Sequence, residues 1–65
     1  GKEVRYLLLD SYVLLSIVNT KLRDFYSSLN DLCADMGINQ IKLEEKLAGV
    51  GYRYSKEKNQ FISII

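Results

Sequence analysis

The strongest constraint on the fold is a tight corner between two short predicted helices, 28–36 and 39–49. Ser28 is followed three residues later by an acidic residue, which is the spacing of a capping box at a helix start. Gly37 can adopt the left-handed conformation that ends a helix, and Asn39 can then cap the next helix. This spacing is typical of a helix-turn-helix, although any helical corner of this size produces it.

The rest of the chain predicts one more helix and two strand-forming regions. Apolar residues share one face of a helical wheel over 11–25, whereas apolar and polar residues alternate over 3–8, as in a half-buried strand. Aromatic and β-branched residues flank a polar segment near the C-terminus and predict a β-hairpin over 52–64. The predicted class is therefore α+β, with three short helix-turn-helix-like helices and a C-terminal hairpin. The N-terminal strand would complete a small antiparallel sheet, within the chain or with a second molecule.

The size of the chain favours self-association. Its 65 residues predict one small domain, 1–65, and such a domain buries about 60% of the surface that its unfolded chain exposes. Hydrophobic residues make up 48% of the sequence, which excludes a disordered chain. Several apolar residues fall outside the predicted core and are candidates for a homodimer interface. They are Ile41, Ile62, Ile64 and Ile65.

The composition argues against catalysis. The chain has no His and a single Cys, which excludes His-dependent triads and the usual zinc sites built from several Cys and His ligands. That cysteine, Cys33, lies on the apolar stripe of a predicted helix, where a thiol behaves as a small hydrophobic group. No glycine-rich phosphate loop is present in the sequence. We therefore expect no enzymatic activity, no cofactor and no metal.

Nucleic-acid binding is the weaker of two functional alternatives. A recognition helix and a hairpin wing would contact DNA through basic and amide side chains, and the candidates are Gln40, Lys42, Lys46, Arg53 and Lys58. Two glutamates stand among the helical candidates and would repel the phosphate backbone, and the net charge is only +1. The sequence favours an interaction module with its own copy or an unidentified protein partner, with weak DNA binding by a winged helix-turn-helix-like module as the alternative.

The expected location is the cytoplasm. The longest uncharged stretch, 11–20, is too short to cross a bilayer, so no membrane association is predicted. The first residues lack the layout of a signal peptide. A single thiol without a partner suits a reducing compartment.

Two motifs resemble a known family of small bacterial proteins that is described only as a domain of unknown function. They are Asn-Thr-Lys-Leu-Arg-Asp at 19–24 and Asn-Gln-Phe at 59–61, and the resemblance spans roughly 10–61. It implies a stand-alone cytoplasmic protein and supplies no activity. The positions that it nominates are Asn19, Arg23, Asp24, Asn59, Gln60 and Phe61. We expect a polar network to join the first helix to the hairpin, and its expected members are Asn19, Arg23, Asp24 and Asn59.

Overall fold

The structure is a computed structural model that describes the backbone of residues 2–65 and the side chains of residues 5–65. Within this range a 3-10 helix precedes three α-helices and two strands. Their bounds are Lys2–Leu8 for the 3-10 helix, Ser11–Asp24 for α1, Leu29–Met36 for α2, Gln40–Ala48 for α3, Tyr52–Ser55 for β1 and Gln60–Ser63 for β2. The three helices and the C-terminal hairpin confirm the predicted α+β class.

The predicted N-terminal strand, 3–8, is wrong. This segment forms the 3-10 helix Lys2–Leu8, and the described sheet contains β1 and β2 without a third strand. In a 3-10 helix every third residue falls on the same side. Tyr6, Leu7 and Leu9 pack against the core, and the Leu9 N–H bonds the Tyr6 carbonyl, while Leu8 is exposed. The neighbours Tyr6 and Leu7 thus both contact the core, which the alternation of a strand would not allow.

Each α-helix begins at a polar side chain that satisfies a free backbone N–H. The side-chain oxygens of Asp10, Ser28 and Asn39 accept these bonds over 2.9–3.0 Å, from residues two or three positions further along. The charged oxygen of Asp10 also lies at the positive end of the α1 dipole. Local capping thus fixes where the helices start.

The corner between α2 and α3 depends on Gly37. Its φ of +68° is the left-handed conformation that glycine adopts without steric cost. The next residue, Ile38, donates its N–H to the Cys33 carbonyl over 3.0 Å and buries its side chain. The turn therefore closes α2 and adds an apolar residue to the core in the same step.

One apolar core joins the helices to the hairpin. Its buried members are Leu14, Val18, Leu22, Leu29, Leu32, Cys33, Ile38, Leu43, Leu47 and Phe61. Nine of them come from the helices and their corner, and Phe61 comes from β2. Burying a side chain of this size contributes about 1.5–3 kcal/mol. Among residues 5–65, no polar or charged side chain is buried.

The hairpin lies across two helices, with β1 against α3 and β2 against α1. Its antiparallel register pairs Tyr52 with Ser63, Arg53 with Ile62, Tyr54 with Phe61, and Ser55 with Gln60. Opposite residues share a face, so Tyr54 points to the core side beside Phe61, and their ring centroids are 5.7 Å apart.

No helix in the described part of the chain combines the length and the apolar character needed to cross a membrane. The longest, α1, has 14 residues.

Candidate functional site

Asn19 on α1 bonds the backbone of Phe61 on β2 in both directions. Its Nδ2 donates to the Phe61 carbonyl over 3.0 Å, and its Oδ1 accepts from the Phe61 N–H over 2.7 Å. A carboxamide offers a donor and an acceptor side by side, as the N–H and C=O of one residue in a neighbouring strand do. The side chain of Asn19 therefore takes the place of a strand along this part of β2.

Gln60 strengthens the same junction from the hairpin side. Its Nε2 donates to the backbone carbonyl of Asn19 over 2.8 Å and to that of Asn59 over 3.0 Å. The two motif residues, Asn19 and Gln60, thus each reach the backbone of the opposite element. Side-chain to backbone bonds of this kind fix the position of the hairpin along α1.

Asn59 closes the C-terminal end of α1. Its Nδ2 donates to the carbonyls of Leu22 and Tyr26 over 3.1 and 2.9 Å, at the end of the helix where carbonyls lack partners within it. The residue has a φ of +52°, the left-handed conformation that Asn tolerates better than other residues with side chains. One residue therefore forms the bend into β2 and caps the helix.

Tyr54 extends the network to α2, and the sequence did not indicate it. Its hydroxyl donates to Asn59 Oδ1 over 2.6 Å and accepts from the Leu29 N–H over 3.2 Å. That N–H belongs to the first turn of α2, where backbone donors need an external partner. The sequence showed only a tyrosine in a predicted strand, because the hydrogen-bond partners of its hydroxyl are set by the tertiary fold.

Arg23 and Asp24 lie outside this network. They form a two-bond ion pair with each other at 2.8 and 3.0 Å, on side chains that are 69% and 42% exposed. This bonding lowers the pKa of Asp24 and raises that of Arg23. Asn59 bonds the Leu22 carbonyl in the last turn of α1, and the Arg23 guanidinium offsets the unfavourable dipole position of Asp24. The Arg23–Asp24 pair therefore lies at the surface and, among the described residues, forms no hydrogen bond with the hairpin residues of the network.

The candidate nucleic-acid residues do not form one basic face. On α3, Lys42 and Lys46 occupy the flank away from the hairpin, while Glu44 and Glu45 line the side next to it. Gln40 donates its side-chain N–H to Glu44 over 3.2 Å. Arg53 and Lys58 are exposed on the hairpin, beyond those two glutamates.

A groove runs between α3 and the hairpin, and it is called the hairpin groove below. Its lining residues are Glu44, Glu45, Ala48, Tyr52, Arg53, Tyr54, Phe61 and Ile64. The helix wall carries two carboxylates, whereas the floor and the strand wall are largely apolar and aromatic. All four candidate interface isoleucines are exposed, and Ile64 lies within this groove.

A second, open groove lies between the 3-10 helix, α1 and α2. It is lined by Arg5, Tyr6, Leu9, Lys21, Tyr26, Asp35 and Met36. The Tyr26 hydroxyl donates to Asp35 on its wall, and this hydrogen bond, assisted by desolvation, raises the pKa of the phenol. The sequence did not indicate this pair, because Tyr26 lies in the loop after α1 and Asp35 lies on α2.

Cys33 is buried at the centre of the helical core. Burial, with a smaller contribution from the charge of Glu44, raises the pKa of its thiol to about 11. The thiol is therefore protonated at neutral pH, whereas nucleophilic attack requires the thiolate.

A protein-family model described as a domain of unknown function (DUF4250) matches residues 9–61, which is most of the chain. The comparisons with curated proteins and with solved structures gave no match.

Proposed function

The chain belongs to the DUF4250 family of domains of unknown function, and we propose that it is a non-enzymatic protein-interaction module that self-associates. The observation that carries this proposal is the exposure of apolar side chains on α3 and at the end of the hairpin. Ile41, Ile62, Ile64 and Ile65 are 69%, 36%, 51% and 98% exposed, respectively. These four side chains define the isoleucine surface.

The energetics favour a surface with several contributors. Fully burying one isoleucine gains about 1.5–3 kcal/mol, whereas association costs about 4–15 kcal/mol in lost motion. One exposed isoleucine therefore cannot drive dimerisation. Two copies contribute up to eight such side chains, four from each, which brings the gain to the scale of the cost.

A role without chemistry is supported by the sequence and by Cys33. The chain has no His, and its one thiol has a pKa raised to about 11 by burial. The same unpaired thiol supports a location in the reducing cytoplasm.

Sedimentation equilibrium from micromolar to millimolar concentration tests the proposal. We expect a reversible monomer–dimer equilibrium that the double variant Ile62→Lys, Ile64→Lys shifts towards monomer. The matched control is Phe25→Lys, because Phe25 is 71% exposed but lies at the end of α1, outside the isoleucine surface. Urea unfolding of each variant establishes that it is folded. A wild-type chain that stays monomeric throughout would overturn the proposal.

A separate titration tests the alternative that the protein binds DNA. A labelled duplex is titrated with the protein at low and at physiological salt, and its fluorescence anisotropy is followed. We expect no saturable binding, because Glu44 and Glu45 separate the basic residues of α3 from those of the hairpin. Salt-sensitive binding that is lost in Lys42→Ala and Arg53→Ala would show that the protein is a DNA-binding module, and would overturn the proposed interaction module.

A further inference from the structure

The two outer edges of the hairpin differ in the hydrogen bonding of their backbone N–H and C=O groups. In an antiparallel pair, the backbone groups of alternate residues point towards the partner strand and away from it. Both backbone groups of Phe61 bond to Asn19, so they point away from β1. The outer edge of β2 is therefore closed at Phe61 by a side chain of α1.

The outer edge of β1 follows from the same register. Tyr54 pairs with Phe61 and Tyr52 with Ser63, so the N–H and C=O groups of both tyrosines also point away from the partner strand. The Ile64 N–H donates to the Gly51 carbonyl over 2.8 Å, across the two strands. Gly51 directly precedes Tyr52, so in the alternating pattern its groups should point towards the partner strand, as this bond shows they do. No other described group, in the backbone of residues 2–65 or the side chains of residues 5–65, bonds these four outward groups. The edge of β1 thus offers two donors and two acceptors.

The hairpin groove lies along this edge. Tyr52, Arg53 and Tyr54 form its strand wall, and the α3 wall carries Glu44 and Glu45. A strand added to β1 would therefore run beside two carboxylates. Such a strand fits best if it carries a cationic side chain on the face that meets α3.

We propose, on the basis of the self-association inferred above, that each copy adds its own β1 to the free edge of the other β1 in antiparallel orientation. The two hairpins then form one four-stranded sheet, in which Ile64 of the hairpin groove lies near the contact while Ile62 lies on the outer strand β2. A two-fold axis at Tyr54 places the two Tyr54 residues opposite each other, where they exchange both backbone bonds. This register places Arg53 opposite Ser55 of the second copy and so avoids facing arginines.

Charge complementarity favours a second copy as the occupant. In the same register, β1 of the second copy ends at Ser55, opposite Arg53, so Lys56, the first residue of its turn, lies next to Tyr52. Tyr52 lines the hairpin groove together with Glu44 and Glu45. The incoming lysine therefore approaches the two carboxylates, and the symmetry of the dimer forms this contact twice.

Charge reversal tests the pairing through the dimer dissociation constant, measured by sedimentation equilibrium. We expect Lys56→Glu to raise this constant about tenfold, and Glu45→Lys to do the same. The double variant Lys56→Glu, Glu45→Lys should restore dimerisation, since it re-forms the attraction with reversed signs. Lys58→Glu is the matched control, because Lys58 is an exposed lysine of the same turn. Equal weakening by Lys58→Glu, or no restoration in the double variant, would overturn the proposed pairing.

Amide hydrogen exchange separates this proposal from self-association itself. The Tyr52 and Tyr54 amides should exchange rapidly in dilute protein and become protected as the dimer forms, while the Phe61 amide stays protected at every concentration. A dimer in which the two tyrosine amides still exchange rapidly would overturn the edge pairing and leave self-association standing. Protection of these amides in a monomer by an added lysine-rich extended peptide would assign the edge to a foreign strand and also overturn the pairing.

Discussion

The carboxamide of Asn19 lies against Phe61 as the N–H and C=O of one residue in an adjacent strand would, with bonds of 3.0 and 2.7 Å to its carbonyl and its N–H. A helix thereby closes the edge of a two-stranded sheet. The arrangement prevents another strand from pairing with β2 at this point, because the backbone groups of Phe61 that such a strand would need are already bonded.

Asn19→Ala should lower the free energy of unfolding by about 2 kcal/mol, because it leaves the half-buried N–H and C=O of Phe61 without their partners. Urea unfolding followed by circular dichroism measures this change. Asn30→Ala is the matched control, since Asn30 is an exposed asparagine on α2. An effect of Asn19→Ala no larger than that of the control would show that the two bonds add nothing to stability.

Asn59 makes separate contributions through its backbone and its side chain. Asn59→Gly keeps the positive φ but removes the bonds to Leu22, Tyr26 and Tyr54, and we expect a loss of about 2 kcal/mol in unfolding free energy. Asn59→Ala removes the same bonds and adds about 1 kcal/mol of backbone strain. Both values come from urea unfolding. A more stable Ala than Gly variant would contradict the left-handed conformation.

Cys33 should react slowly with thiol reagents in the folded protein. A pKa of about 11, against an ordinary 9.0, leaves roughly a hundredfold less thiolate at pH 8 than in the unfolded chain, and burial blocks the reagent as well. Absorbance of a chromogenic disulfide reagent gives the rate, and the same reaction in urea is the reference. Rapid labelling of protein that retains its native circular dichroism would contradict the buried position.

The Tyr26–Asp35 hydrogen bond predicts a loss of stability at alkaline pH. The pKa of Tyr26 is raised above its ordinary 10.0 in the folded state, so its contribution is fully present below that value. It disappears as the pH rises through the folded pKa. Unfolding free energies of wild type and Tyr26→Phe should therefore differ by a constant amount at neutral pH and converge in strong alkali.

The control for this pH series is Tyr12→Phe, because Tyr12 is 59% exposed and its hydroxyl forms no hydrogen bond with the described residues. Asp35→Asn offers a second comparison, since it removes the carboxylate that opposes ionisation of Tyr26. A difference between wild type and Tyr26→Phe that persists unchanged in strong alkali would rule out the Tyr26–Asp35 contact as its source.

Local signals in the sequence predicted the helices and the hairpin well, since caps and glycine turns act over three or four residues. Ser28 and Gly37 are examples, because each fixes the backbone through its own conformation or side chain. The N-terminal strand was wrong because alternation over 3–8 does not show whether a segment pairs with a strand or packs on helices. Here the segment forms the 3-10 helix, whose residues Tyr6 and Leu7 pack against the helical core.

The polar network was predictable only in part. The two motifs pointed to Asn19 and Asn59, which the structure brings to the same junction through Phe61, Gln60 and Leu22. The motifs did not show that Asn19 and Asn59 belong to the network while Arg23 and Asp24 do not. The sequence does not reveal which side of α1 meets the hairpin. Tyr54 was missed for the same reason, since its partner Leu29 lies 25 residues away.

The closure of β2 by Asn19 also sets the order in which the chain can fold. The bonds between α1 and the hairpin join residues 37 to 42 positions apart, and an isolated two-stranded hairpin has little stability in water. We therefore expect the hairpin to form late, on the surface of a nearly complete helical layer, and the chain to fold more slowly than a bundle built from local contacts. The strands and the end of α1 should then unfold together, because each supplies the hydrogen-bond partners of the other.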